Sequence, residues 1–241
     1  MNRAARAALA RTLVSREHAV VHRVAALLLE YPTDELLGLL PALRSAVTEL
    51  DVSFRGPLDQ VLDHLGGHPL PELEAEYVRT FDLTRRNALY LTYYAYGDTR
   101  KRGVALVEFK QAYRAAGLEP PEDELPDHLA VVLEFAATGD REAGLRLLLA
   151  HRAGLELLRL ALLDAGSPYA GALVAVSATL PQLAGEDRAA VERLAAEGPP
   201  GEDVGLEPFA PPSYMPPVSA HASAPTSLPT PTRRPVIGAR P

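Results

Sequence analysis

Four short groups of residues have side-chain types that could bind a ligand or carry out chemistry. The first is the run from Tyr77 to Gly103, which holds five of the nine Tyr in a chain without Trp. Its tyrosines are Tyr77, Tyr90, Tyr93, Tyr94 and Tyr96. Tyr combines a large apolar ring with a polar hydroxyl and few rotatable bonds, so such a cluster suits partner recognition better than bond cleavage. The alternative interpretation is that the rings fill gaps in the core.

Arg100, Lys101 and Arg102 form the second group, directly after Gly97-Asp98-Thr99. A helix that begins there would present its N-terminus and three cations, which could bind a nucleotide or a pterin cofactor. The segment lacks the glycines that allow backbone amides to wrap a phosphate chain. The simpler interpretation is that Asp98 caps the helix while the cations are solvated or paired with acidic residues.

Pro126, Asp127 and His128 form the third group. Proline fits the first turn of a helix, and the carboxylate and the imidazole would then project side by side. Such a pair could hold an arginine or a backbone amide of an incoming chain. Alternatively, Asp127 caps the following helix and His128 is a partly buried histidine.

His18 and His22 form the fourth group, with the i, i+4 spacing that can place two metal ligands on one helix face. No third ligand of suitable type lies nearby in the sequence, so we favour a solvated or hydrogen-bonded pair and predict neither a metal nor a cofactor. The sequence contains no P-loop, GxGxxG or GxSxG motif. It therefore predicts no enzymatic activity.

Apolar residues recur at helical spacing along most of the chain, without strand-like alternation. One stripe follows the potential cap Thr33 and consists of Leu36, Leu40, Leu43, Val47 and Leu50. A short helix is predicted around Leu58–Leu65, and one long helix from about Asp140 to Ala165. In the long helix, Arg152 precedes Glu156 by one turn and can pair with it.

The composition places these helices in one domain. Apolar residues make up 47% of the 241 residues, enough for a packed core, and 12 of the 22 prolines lie after residue 198. We predict a single-domain all-α bundle over residues 16–198, a flexible segment at 1–15 and a disordered Pro-rich tail at 199–241. The absence of Cys and of a membrane-spanning segment predicts a cytoplasmic protein. The net charge of −7 resides in the body and disfavours nucleic acid as a partner.

Several strings in the chain resemble the NarJ-type assembly chaperones of respiratory nitrate reductase, which belong to a wider group of all-helical molybdoenzyme chaperones. The strings are EYVRTFDL, LYLTYYAYGDTRKRG, FKQAYRAAGLEP and ELPDHLAVVLEFAA, together with the N-terminal YPTDEL. The resemblance extends from about Val20 to Leu180. It implies a cytoplasmic chaperone without enzymatic activity or a bound cofactor.

The resemblance also implies partners and a binding site. The client would be the apo catalytic α subunit of nitrate reductase, bound in part through its N-terminal segment until the molybdenum cofactor is inserted and before membrane attachment. Molybdenum cofactor biosynthesis proteins would be further partners. The candidate client-binding residues are Tyr90, Tyr93, Tyr94, Asp98, Arg100, Arg102, Pro126, Asp127 and His128. Two alternatives are a chaperone for a different molybdoenzyme and a protein that binds a nucleotide or pterin through Arg100–Arg102.

Overall fold

The computed structural model describes residues 16–119, 124–183 and 185–197, which form helices joined by turns. Those ranges contain eleven α-helices, one π-helical turn at Val78–Asp82 and one 3-10 turn at Arg85–Asn87. The α-helices are α1 Arg16–Leu28, α2 Asp34–Thr48, α3 Val52–Gly67, α4 Leu70–Tyr77, α5 Tyr93–Tyr96, α6 Arg100–Ala115, α7 Leu129–Thr138, α8 Arg141–Ala150, α9 Arg152–Asp164, α10 Ala170–Thr179 and α11 Glu186–Glu197. The all-α prediction is confirmed for the described part of the chain.

Capping residues determine where the early helices begin. Thr33 is the N-cap of α2, and its hydroxyl accepts a hydrogen bond from the Leu36 N–H at 3.2 Å. The predicted apolar stripe is buried, with four of its residues in α2 and the fifth, Leu50, just after the end of the helix. Helix α3 begins well before the predicted Leu58, because the Asp51 carboxylate accepts the Ser53 N–H at 2.9 Å. Apolar spacing alone therefore underestimated the length of α3.

Helix α10 occupies the centre of the packing and contacts α1, α3 and α9. It is almost entirely apolar, and its buried residues lie on several sides: Ala170, Gly171, Ala172, Leu173, Ala175, Val176 and Thr179. Gly171 allows close approach to α3, since a Cβ there would lie 2.1 Å from the Pro57 carbonyl oxygen. Helix α1 packs against both α10 and α7. It thereby connects the core with the helix that carries one wall of the site described below.

The prediction of one long helix from Asp140 to Ala165 is wrong, because the chain breaks at His151 into α8 and α9. The backbone of His151 has φ −108° and ψ 23°, outside the helical region. Helix α8 packs against α7, whereas α9 packs against α10 and α11, so the two halves have different partners. The predicted pair between Arg152 and Glu156 does form, with Nη2 to Oε1 at 2.8 Å.

Some predicted features lie outside the described residues, namely the flexible segment at 1–15 and the Pro-rich tail at 199–241. Within the described ranges, no helix combines the length and the apolar character needed to cross a membrane.

Candidate functional site

Two segments far apart in sequence pair side by side at the site. The Leu91 N–H donates to the Asp127 carbonyl at 3.1 Å, and the Leu129 N–H donates to the Leu89 carbonyl at 2.7 Å. This antiparallel bridge places Tyr90 opposite His128, with their rings edge to face at 5.3 Å between centroids. The Tyr-rich segment and the Pro126-Asp127-His128 string, separate in the sequence, thus form one structural unit.

Asp127 is fully buried, and its side chain holds the Tyr-rich segment in place. Oδ2 accepts hydrogen bonds from the Thr92 N–H at 3.1 Å and from the Thr92 hydroxyl at 2.5 Å. Pro126 is buried beside it, and its carbonyl accepts the Tyr113 hydroxyl at 2.5 Å. Asp127 and Pro126 therefore lie behind the surface, while His128 is partly exposed.

Arg102 contacts the same residues from α6. Its Nε donates to Thr92 Oγ1 at 3.2 Å, and its Nη2 lies 3.8 Å from Asp127 Oδ2. The guanidinium lies over the Tyr90 ring, 5.2 Å from the centroid, in cation–π geometry. Thr92, Arg102 and Asp127 are hereafter the Asp127 cluster. This cluster ties α6, the Tyr-rich segment and the start of α7 together.

Tyr93 and Tyr94 belong to the core. Their exposed fractions are 9% and 3%, and their rings pack edge to face at 5.8 Å. The Tyr94 hydroxyl lies within hydrogen-bond distance of the carbonyls of Arg86 and Ala88, at 3.0 and 2.9 Å. Tyr77 also donates inward, to the Leu29 carbonyl at 2.9 Å. The core-filling interpretation therefore describes Tyr93 and Tyr94. Tyr90 instead reaches a surface cleft, which Tyr77 also lines.

That cleft has a volume of about 590 Å³ and is lined by aromatic, aliphatic and acidic side chains. The lining residues are Glu30, Tyr31, Tyr77, Phe81, Asp82, Leu89, Tyr90, Glu124, His128, Ala130, Val131 and Glu134. We refer to it as the acidic cleft. Its apolar rings and methyl groups can bury an apolar side chain, and its carboxyl groups can pair with cations.

Four separate segments build the acidic cleft. Residues after the end of α1 contribute Glu30 and Tyr31, and the bridge contributes Tyr90 and His128. The π-helical turn contributes Phe81 and Asp82, and its wider winding is closed by a hydrogen bond from the Leu83 N–H to the Val78 carbonyl at 3.0 Å. The first turns of α7 complete the wall.

Charge in the acidic cleft is predominantly negative. Partial burial raises the pKa of Glu30, and the Glu134 carboxylate is paired with Arg23. Burial lowers the pKa of His128 more than Glu124 and Asp127 raise it, so the imidazole is neutral near pH 7. Burial and the Glu124 carboxylate raise the pKa of Tyr90 to about 12. The phenol therefore stays protonated and donates to Glu124 Oε1 at 3.2 Å.

The start of α6 does not present three cations on one surface. Asp98 and Arg100 are exposed, but Arg102 turns inward to the Asp127 cluster. Asp98 does not cap the helix: Thr99 occupies the N-cap position, and Asp98 Oδ1 accepts from Arg102 Nη1 at 3.2 Å. The anion-site interpretation therefore loses Arg102, one of its three cations, to these internal contacts.

His22 is buried in the core and hydrogen-bonded there. Its Nε2 lies 2.8 Å from Thr179 Oγ1, and the Thr179 hydroxyl donates to the Val176 carbonyl, so Nε2 carries the proton. Burial lowers the pKa of His22 to about 3. His18 packs edge to face with Phe54 at 5.7 Å. Across the described residues, no group of three or more His, Cys, Asp or Glu could hold a metal ion.

Sequence reasoning missed most of the acidic cleft. Glu30, Phe81, Asp82 and Glu134 were not candidates, because they come from distant segments and share no local pattern. Thr92 belongs to the recognised Tyr-rich string, but nothing in its spacing indicates that it binds Asp127. Tertiary packing alone brings these residues together.

The central part of the chain matches a known protein family. The sequence model of the family described as "Nitrate reductase delta subunit" matches residues 47–175, more than half of the chain. The chain belongs to this family. The match includes the Tyr-rich segment, the Asp127 cluster and the α7 wall of the cleft.

Three relatives show how far the similarity extends. The nitrate reductase-like protein NarX of Mycobacterium tuberculosis is 42% identical over 168 residues, which is 66% of this chain and 24% of NarX. NarJ of Bacillus subtilis, named "Probable nitrate reductase molybdenum cofactor assembly chaperone", is 35% identical over 117 residues, covering 48% of this chain and 64% of NarJ. Escherichia coli NarJ is 38% identical over 66 residues. The chain thus spans only part of each relative's length.

The names of the two NarJ proteins describe assembly chaperones, which agrees with the prediction that the chain is not an enzyme. Among solved structures, the chain is similar to a redox enzyme maturation protein of Archaeoglobus fulgidus. That similarity has a TM-score of 0.47 and 21% identity, and covers 75% of this chain and 93% of the other.

Proposed function

We propose that this chain is an assembly chaperone for respiratory nitrate reductase and that its acidic cleft binds the N-terminal segment of the apo catalytic α subunit. The observation that carries the proposal is the composition of the cleft, where aromatic side chains lie beside four carboxyl groups. An amphipathic helix with cations beside its apolar face complements such a surface. Membership of the nitrate reductase delta subunit family supports the choice of client.

In this proposal the chaperone acts on the client before the client reaches the membrane. The chain holds the apo α subunit in the cytoplasm, molybdenum cofactor biosynthesis proteins deliver the cofactor, and the client then leaves for the membrane. The chaperone binds no cofactor of its own. Residues 16–198 act as the chaperone domain, and residues 1–15 and 199–241 flank it.

Electrostatics favour a basic client segment. The chain has a net charge of −7, and Glu30 and Asp82 add local negative charge on two sides of the cleft. Opposite charge accelerates encounter and favours one class of partner over others. Apolar contacts with Tyr31, Val131 and their neighbours supply the remaining affinity.

Isothermal titration calorimetry with a synthetic peptide tests the proposal. The peptide has the N-terminal sequence of the nitrate reductase α subunit of the same organism. We expect wild-type binding, and binding weakened about threefold to tenfold by Glu30→Gln combined with Asp82→Asn, since two partly screened charge pairs are lost. Glu142→Gln on α8, an exposed acid paired with Arg146, is the matched control and leaves the affinity unchanged. No wild-type binding, or equal affinity of double variant and control, would contradict the proposal.

A peptide from the N-terminus of another molybdoenzyme catalytic subunit tests the choice of client. We expect weaker binding than with the nitrate reductase peptide. Tighter binding to the other peptide, still dependent on Glu30 and Asp82, would keep the cleft as the binding site and replace the client.

A further inference from the structure

Asp127 is fully buried, and its hydrogen bonds face away from the acidic cleft. Its Oδ2 is occupied by two donors of Thr92, and the residue does not line the cleft although its neighbour His128 does. Oδ1 has no hydrogen-bond partner among the described residues, but it is also buried, so an incoming cation could reach this carboxylate only if the residues around it moved. Such a movement would leave the Thr92 donors without their acceptor, at a considerable cost in free energy.

The Asp127 cluster lies directly behind the wall formed by Tyr90 and His128. Backbone hydrogen bonds between Leu91 and Asp127, and between Leu129 and Leu89, set the register of that wall. The side chain of Asp127 adds two hydrogen bonds, both donated by Thr92, the residue after Leu91. Arg102 completes the support, because it binds Thr92 and its guanidinium lies over the Tyr90 ring.

We infer that Thr92, Arg102 and Asp127 are positioning residues, which hold Tyr90 and His128 in place on the cleft wall and do not touch the client. The inference deepens the proposed function and rests on it for the affinity readout. It reverses the expectation that Asp127 contacts the client. A site held by a rigid, hydrogen-bonded support binds more tightly than one that must be ordered on binding.

Salt dependence distinguishes a positioning carboxylate from one that pairs with a client cation. Each charge pair formed across an interface makes binding weaker at higher ionic strength. Removing a carboxylate that contacts the client therefore reduces the dependence of Kd on salt. Removing a positioning carboxylate raises Kd at every salt concentration and leaves that dependence unchanged.

The experiment titrates the α-subunit N-terminal peptide into the full chain over a series of NaCl concentrations. We expect Asp127→Asn, which removes the charge of the acceptor, and Thr92→Val, which removes the hydroxyl donor, each to raise Kd about tenfold. Because both substitutions weaken the same hydrogen bond between the Thr92 hydroxyl and Asp127, the double variant should bind no more weakly than the weaker-binding single variant. Thr92→Ser retains the hydroxyl and should bind nearly as wild type.

Two variants calibrate the salt series. Asp82→Asn, on the cleft surface, should reduce the salt dependence. Glu142→Gln removes an exposed carboxylate on α8, outside the cleft, and should leave both Kd and salt dependence near wild type. A reduced salt dependence in Asp127→Asn, like that of Asp82→Asn, would overturn the inference, as would an unchanged Kd.

A second measurement needs no peptide. Amide hydrogen exchange in the unliganded chain should accelerate at Leu91 and Leu129 in Asp127→Asn and Thr92→Val, while Val24 in the core of α1 stays protected. If the wild type binds no peptide, the proposed function fails, yet unchanged exchange at Leu91 and Leu129 would still reject the positioning role. If Asp127→Asn does not fold, as judged by circular dichroism, Thr92→Val with Thr92→Ser decides both measurements.

Discussion

Glu156 and Asp127 are both almost inaccessible to solvent, with exposed fractions of 1% and 0%, but their oxygens are hydrogen-bonded to different degrees. Glu156 Oε1 faces Arg152 at 2.8 Å and the Ser177 hydroxyl at 2.6 Å, and Oε2 accepts from Arg159 Nε at 2.7 Å. In Asp127, Oδ2 has both Thr92 donors, while Oδ1 has no hydrogen-bond partner among the described residues.

The two carboxylates lie in regions with different roles. Glu156 lies at the contact between α9 and α10, among the helices packed around α10, which we call the framework. Full pairing of buried charge there favours a single packing arrangement. The back of the cleft wall supports a surface that, in our proposal, receives a client. Partial pairing there leaves Arg102 shared between Thr92, Asp98 and Asp127. The comparison predicts that the framework is the more sensitive of the two to loss of its carboxylate.

The largest expected effect is that of Glu156→Ala. The substitution removes a buried carboxylate that accepts from Arg152, Arg159 and the Ser177 hydroxyl, so we expect the free energy of unfolding to fall by about 3–5 kcal/mol. Urea denaturation followed by circular dichroism measures it. Glu142→Ala, which breaks the exposed pair with Arg146, should cost less than about 0.5 kcal/mol. Equal costs for the two variants would show that the Glu156 network contributes little.

His22 allows the framework to be probed by pH. Because burial lowers its folded-state pKa to about 3, the unfolded chain binds the proton more readily, and stability is lost as pH falls from about 6.5 towards 3. At pH 5 the loss amounts to about 2 kcal/mol. In His22→Gln, the difference in unfolding free energy between pH 7 and pH 5 should be smaller by this amount. An unchanged difference in His22→Gln would contradict the burial of a neutral imidazole at this position.

Asp127→Ala should destabilise the chain by less than Glu156→Ala, by about 1–2 kcal/mol, since it leaves the two Thr92 donors without an acceptor. The same denaturation experiment measures it. A cost equal to that of Glu156→Ala would remove the proposed distinction between framework and cleft wall. Thr92→Ser, which keeps the hydroxyl, should cost little and shows whether the hydrogen bonds or the packing matter.

The framework was more predictable from sequence than the cleft wall. The apolar stripe of α2, its Thr33 cap and the Arg152–Glu156 pair all depend on residues at most a few turns apart, so helical spacing identified them. The break at His151 was missed because it depends on which helices α8 and α9 contact. Local spacing does not carry that information.

The Pro126-Asp127-His128 string shows the same limit within three residues. Residue types and the resemblance both identified the string, but the resemblance treated all three side chains as parts of one surface. The bridge to Leu89–Leu91 exposes His128 in the cleft and buries Asp127 behind it. The cleft acids Glu30 and Glu134 come from the turn after α1 and from α7, which are distant in the sequence. They therefore share no local pattern that could have identified them.

The smallest expected effect is that of a substitution on the cleft wall, at Tyr90. Tyr90→Phe removes the hydroxyl that donates to Glu124 Oε1 at 3.2 Å and retains the ring between His128 and Arg102. A partly exposed hydrogen bond contributes about 0.5 kcal/mol, so peptide Kd should rise by no more than about threefold. Tyr90→Ala also removes the ring from the wall and should raise Kd further, by tenfold or so. Equal losses in the two variants would assign recognition to the hydroxyl. The expected order assigns it to the ring, whose position the Asp127 cluster fixes from behind.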